Sequence, residues 1–322
     1  MTLFEGLKAF PKVDLHIDFL GSIPLETIQK MTQNTPLLDV QDIVEFDSLT
    51  DYDNSRNLVR SLLNSYSNIE FAFKELIEKF KEENMIYGEI FVNLDSFLPN
   101  LDKKEILTTL FKVIKDSELK LNIVLEIESS ISKEELYDNL NLLYEYYHKG
   151  INGIFFKKNK LDNFETYKAL FDKFVKDDIS YIVTMDSKIT SQNKEIMYGA
   201  SRIIYNLFIE PDEVFLKKIK DEKILLEFPI TYQSYFHLYD NLENHFVFNL
   251  FKENVLLTFT TIDRTSLNTD LLNEYCKLFN VFPFKLHDLV VLTLNCLSIV
   301  NLRDEEKNNL IEEFKSKANQ LL

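Results

Sequence analysis

The feature that most constrains this chain is an alternation. Eight short runs rich in Ile, Val, Phe and Tyr are separated by longer amphipathic stretches: Lys12–Phe19, Met85–Leu94, Leu119–Ile127, Gly150–Lys157, Ile179–Ser187, Ala200–Phe208, Ile224–Thr231 and Val255–Asp263. Such runs read as buried strands. The stretches between them, for example Asn68–Glu83 and Ser132–His148, place apolar residues three and four apart with Lys and Glu opposite, which is a helical period. Strand followed by helix, repeated eight times, predicts an α/β fold with a parallel sheet closed into a (β/α)8 TIM barrel. The gap between Phe19 and Met85 holds several helical segments where other units need one. That predicts a helical insertion after strand 1, over about 24–84, roofing the C-terminal mouth. No Pro/Gly/Ser-rich linker, low-complexity tract or repeat divides the chain, so 1–322 reads as one domain ending in C-terminal helices over about 284–322.

Composition removes several function classes. Six glycines in 322 residues leave no way to write a dinucleotide-binding or P-loop glycine motif. With 52 acidic against 36 basic residues the formal charge is −16, which repels nucleic-acid backbones and anionic membranes. The longest apolar stretch, Leu289–Val300, is too short to span a bilayer and is interrupted by Thr293, Asn295 and Ser298. Met1–Lys12 lacks the apolar run of a secretory signal, and the two cysteines, Cys276 and Cys296, form no framework or zinc motif, so a cytoplasmic protein is expected.

The opening Pro11-Lys12-Val13-Asp14-Leu15-His16-Ile17-Asp18-Phe19-Leu20-Gly21-Ser22-Ile23-Pro24 resembles that of the adenosine deaminases, where a first strand ends in His-x-His-x-Asp-Gly followed by Ser-Ile-Pro. Tyr87-Gly88-Glu89, Arg202-Ile203, Pro229, His245, Thr261-Ile262-Asp263 and Asn295–Ser298 follow in the family's order, so the resemblance covers nearly the whole chain. It implies the same barrel. It also implies a purine site, with a zinc held by two histidines on strand 1, a histidine ending strand 5 and an aspartate ending strand 8; such an ion lowers the pKa of its bound water to about 7.

The chemistry residues are where this sequence departs. His16 keeps the first ligand position, but Asp18 stands at the second, Thr184 at the third and Ile262 at the fourth. Ser187 replaces the proton-shuttling glutamate and cannot do carboxylate acid/base work, and Tyr205 replaces the histidine that orients the attacking water. Phe91 replaces an arginine, Leu20 a ribose-contacting aspartate, and Phe155-Phe156-Lys157-Lys158 the family's Asp-Leu-Ala-Gly. These losses argue against zinc-dependent deamination. What remains implied is a family member acting as a purine nucleoside- or nucleotide-binding or partner-regulating protein, with Asp263, Lys158, Thr184 and Ser187 as candidate purine contacts. Two alternatives stand beside it. One is an active hydrolase using a rebuilt site for a hard divalent cation such as Mg2+ or Mn2+, built from His16 and Asp18, which share a strand face, with Asp186 and Asp263. The other is a structural subunit paired with an active relative. Lys157, Lys158 and Lys160 gather basic charge that could meet a ligand phosphate or simply be solvated. His148, His237 and His287 read as surface or core groups, and the family's counterpart of His245 is not a zinc ligand.

Overall fold

A computed structural model describes residues 2–32, 44, 46, 49–128, 131–157, 164–185, 199–206, 210–236, 238 and 241–321. Eight parallel strands form one sheet in sequence order: β1 (Lys12–Asp18), β2 (Met85–Val92), β3 (Lys120–Glu128), β4 (Ile151–Lys157), β5 (Tyr181–Met185), β6 (Arg202–Tyr205), β7 (Leu225–Phe228) and β8 (Leu257–Phe259). The expected barrel is present, and each strand falls inside or within a residue of its predicted run. Closure comes just beyond β8, where the Asp18 N–H donates to the Ile262 carbonyl and the Ile262 N–H to the His16 carbonyl, both at 2.9 Å. To do this Ile262 takes a left-handed φ of 54°, an outlying conformation for a β-branched residue.

Strand 1 shows how the pattern builds the molecule. Val13, Leu15 and Ile17 enter the main apolar cluster beneath the surrounding helices, while Asp14, His16 and Asp18 alternate with them on the other face. The barrel interior is therefore unusually polar. Charged side chains from four strands meet there, including Glu89 of β2, Arg202 of β6 and Glu227 of β7, all under 5% exposed. Burial away from water makes such groups costly unless they are paired.

Between β1 and β2 lie helices Leu25–Thr32, Leu49–Leu62 and Tyr66–Glu82. The last begins at Ser65, whose hydroxyl accepts from the Asn68 N–H. The helix after β3, Lys133–Tyr146, opens with a reciprocal Ser132/Glu135 capping box. A short helix, Leu3–Ala9, precedes β1, and Leu271–Val281, Leu286–Ile299 and Asp304–Asn319 complete the chain. Among the described residues, no helix is long and apolar enough to cross a membrane.

Candidate functional site at the barrel mouth

At the C-terminal ends of the strands is a cavity of about 220 Å³ whose lining includes His16, Asp18, Thr184 and Asp263. Sequence spacing thus brought together four candidate residues from β1, β5 and the segment after β8. Asp186, Ser187, Lys158, Lys160 and His237 lie outside the described residues. Tyr205 is 2% exposed and packs against Phe228 and Phe246; it is absent from the cavity lining.

The carboxylates at the mouth are held by a residue that sequence reasoning missed. Arg56, from helix Leu49–Leu62 of the insertion, places Nη2 2.7 Å from Asp18 Oδ2 and Nη1 2.5 Å from Asp263 Oδ1. Asp18 also accepts from the Gly21 N–H at 2.8 Å. Burial raises the Asp18 carboxyl, but the Arg56 charge and hydrogen bond, helped by Lys157 and Gly21, more than offset it and bring its pKa down to about 2. Burial and the neighbouring Asp18 charge push Asp263 well above the carboxylate range. One guanidinium facing two buried acids satisfies one full charge, so Asp18 carries the anion and Asp263 keeps its proton longer. The sequence alone allows a blander reading, in which Asp18 takes a hydrogen bond from backbone or Arg202 and Asp263 faces water. The backbone half of the first reading holds, in the Gly21 N–H, but the arginine is Arg56 and not Arg202, and Asp263 does not face water, being 1% exposed.

His16 lines the cavity and is held from its Nδ1 side and by ring stacking. Its Nδ1 lies 3.2 Å from Glu227 Oε2, and its ring stacks on Phe91 with centroids 3.7 Å apart, edged by Phe155. Phe91, Phe155, Val124, Ile182 and Ile204 form an apolar cluster against which Ile262 packs. Behind it, Glu227 pairs with Arg202 at 3.0 Å, Arg202 with Glu89 at 2.5 Å, and Glu89 accepts from Tyr87 and Asn152 at 2.9 and 2.8 Å. A zinc site needs converging imidazole, thiolate or carboxylate donors. Here Thr184 and Ile262 cannot provide them, and Arg56 engages both Asp18 and Asp263. The described residues of the mouth do not fit zinc. Among the described residues, no group of three or more His, Cys, Asp or Glu side chains is placed to hold a metal ion.

Lys157, the described member of the basic patch, is neither free for a phosphate nor simply solvated. Lys157 is ion-paired with Glu126 at 3.0 Å and Glu128 at 3.6 Å, because β3 and β4 register Glu128 directly against Lys157. Among the described residues of the lining, Arg56 and Lys157 therefore each face two carboxylates. Besides Arg56, sequence reasoning missed Tyr52, Asp53, Glu126 and Tyr232 of the lining. The four-residue spacing of Tyr52 and Arg56, whose guanidinium lies 5.9 Å from the Tyr52 ring, was the available signal for a functional face on that helix.

The family model for adenosine deaminase matches residues 11–317. An adenosine deaminase from Clostridium perfringens is 26% identical over 95% of this chain and 98% of its own length, and one from Clostridium kluyveri 25% over 99% and 97%. Among solved structures, the apo N6-methyl-AMP deaminase from Arabidopsis thaliana superposes with a TM-score of 0.85 at 18% identity, covering 98% of this chain and 99% of that one. An Arabidopsis ADAL structure complexed with IMP gives 0.85 at 19% identity, covering 99% and 100%. These structural likenesses carry the fold, and the match of the family model to nearly the whole sequence carries the kinship: the chain belongs to the adenosine deaminase family.

Proposed function

We propose that this family member has lost zinc-dependent deamination and works as a non-catalytic purine-binding or partner-regulating protein. The observation that carries this reading is the Asp18–Arg56–Asp263 bridge, in which a guanidinium of the chain itself supplies the positive charge between the mouth carboxylates. A cation placed by the fold cannot polarise water as a metal does, and serine at position 187 offers no carboxylate to move protons. The cavity and its apolar rings favour a small flat ligand. At about 220 Å³ it falls below the roughly 300–1,000 Å³ typical of drug-sized ligands. With Asp18, Asp53 and Glu126 against Arg56 and Lys157, and Asp263 holding its proton, negative charge outnumbers positive in the described lining, which favours an uncharged purine nucleoside over a nucleotide. The relatives complexed with IMP or GMP mark the ligand class from which to start.

The test combines turnover, metal content and ligand-induced stability on one preparation made without chelators. Expected are no deamination of adenosine, AMP or N6-methyl-AMP, no stoichiometric divalent metal, and a rise in Tm with adenosine that is lost in Asp263→Ala. Turnover that disappears on chelation and in His16→Ala would replace this reading with a rebuilt metal site. Stability that depends on a copurifying partner, with no response to purines, would replace it with a purely structural subunit.

A further inference from the structure

His16 lines the mouth cavity although it is only 3% exposed, and three sides of its ring are taken. Nδ1 faces Glu227 Oε2 at 3.2 Å, one face stacks on Phe91 with the rings 13° from parallel, and Phe155 meets it edge-on with centroids 5.5 Å apart. Nε2 is different. Among the described residues it has no hydrogen-bond partner, yet it is not sealed in the interior as the unpaired Thr260 Oγ1 is; the cavity is the space to which it opens.

Glu227 decides what that nitrogen offers. Its carboxylate is paired with Arg202 at 3.0 Å, and a carboxylate so held accepts hydrogen bonds and donates none. Nδ1 therefore carries the ring proton, and Nε2 of the neutral imidazole keeps its lone pair toward the cavity. Phe155, Ile204 and Ile262 share that lining, so a ligand entering there displaces the water that Nε2 would otherwise use. A ligand with no donor at this point leaves the acceptor unpaired, which is how polar groups in enclosed sites reject close analogues.

The lining also orients a nucleoside. Its hydrocarbon part suits the flat base, while Asp53, an exposed position of the same lining, marks the open side that suits the sugar. The sugar of a purine nucleoside is carried on the five-membered ring, so the six-membered ring is the edge that reaches inward.

We propose, resting on the purine-binding reading, that His16 Nε2 accepts a hydrogen bond from the six-membered ring of the bound purine. The site then takes nucleosides with an amino group or a ring N–H on that ring and discriminates against those with neither. His16 is the residue that sets this specificity, and Glu227 positions it by fixing its tautomer.

Purine riboside, which is adenosine without its amino group, and inosine, whose donor is a ring N–H, are titrated alongside adenosine into the full chain by calorimetry in mildly alkaline buffer. Adenosine, inosine or both should bind at least about tenfold tighter than purine riboside, the equivalent of about 1.4 kcal/mol. Which of them does so tells an amino donor from a ring N–H. His16→Phe keeps an aromatic ring to stack on Phe91 but has no acceptor, so the preference should disappear. In Glu227→Gln the amide oxygen is drawn to Arg202, a donor only, which turns the amide N–H toward Nδ1 and moves the ring proton to Nε2; there too the preference for donors should be lost. Nitrogen-15 spectra of the wild-type histidine rings report the tautomer without a ligand or a variant, and should show His16 protonated at Nδ1 alone. An imidazolium or an Nε2–H tautomer in those spectra overturns the proposal. So does a preference that persists in folded His16→Phe, or equal binding of all three nucleosides by wild type, which leaves the purine-binding reading standing. Binding of none of the three removes that reading and this inference with it.

Discussion

Asp263 lies over Gly21 so closely that a β-carbon on Gly21 would come within 1.9 Å of Asp263 Oδ1. The same glycine donates its N–H to Asp18 and accepts from the Thr265 N–H at 2.8 Å. Gly21 therefore sets the distance between the two carboxylates that Arg56 bridges. Gly21→Ala is expected to push the Asp263 carboxyl off the guanidinium and to cost about 1–3 kcal/mol, as overpacking does. Urea denaturation measures the cost. Unchanged stability together with unchanged adenosine binding would show that the bridge does not organise the mouth.

Two buried titrating groups oppose each other in mildly acidic solution. Burial raises Asp14, which accepts from Thr261 at 2.7 Å, to about 6. Its folded state holds a proton that the unfolded chain gives up near pH 4, so its contribution to stability falls as pH rises from about 4 to 6. Burial lowers His245 to about 4, where its Nδ1 accepts from the Val247 N–H. The unfolded histidine binds its proton first, so this contribution rises between about pH 4 and 6.5. Each shift is worth about 3 kcal/mol at most. The two nearly cancel, and the substitutions separate them: relative to wild type, Asp14→Asn should add a rising stability–pH slope in this window and His245→Gln a falling one. Parallel slopes in both variants would rule out this assignment.

How much of this was legible in the sequence depends on the range of the interaction. The barrel was readable because each strand is a short apolar run and each helix a longer amphipathic one, both local periodicities. The shared face of His16 and Asp18 follows from their spacing of two on a strand. Arg56 was not readable, because nothing local ties residue 56 to residues 18 and 263; the insertion has to fold back first. Lys157 shows the same limit at shorter range. Its basic neighbourhood was visible, but the β3–β4 register that sets Glu128 beside it is a tertiary fact.

Ile262 gives a prediction about strain. Its left-handed φ of 54° costs an L-residue roughly 1–2 kcal/mol, whereas asparagine visits that region more readily. Ile262 is only partly buried against the Phe91 cluster. Ile262→Asn is therefore expected to stay within about 1 kcal/mol of wild type, where a large-to-small core change costs about 2–5 kcal/mol. A loss of that larger size in thermal or urea unfolding would mean that packing, not backbone strain, dominates at this position.

Arg56 gives the sharpest test of the reading of the mouth. Its removal leaves Asp18 and Asp263 buried beside each other without their shared hydrogen-bonded cation, and breaking a buried pair in this way costs about 3–5 kcal/mol. Arg56→Ala should accordingly lower Tm and raise the pH at which Asp18 protonates. Two carboxylates released into a small cavity are also oxygen ligands for a hard cation. Millimolar Mn2+ should therefore restore part of the lost Tm in Arg56→Ala, leave wild type unmoved, and fail in Arg56→Ala/Asp18→Asn, where one ligand is gone. If Mn2+ stabilises wild type as strongly as the variant, the guanidinium yields its place to metal, and the chain's own cation is not what governs the site.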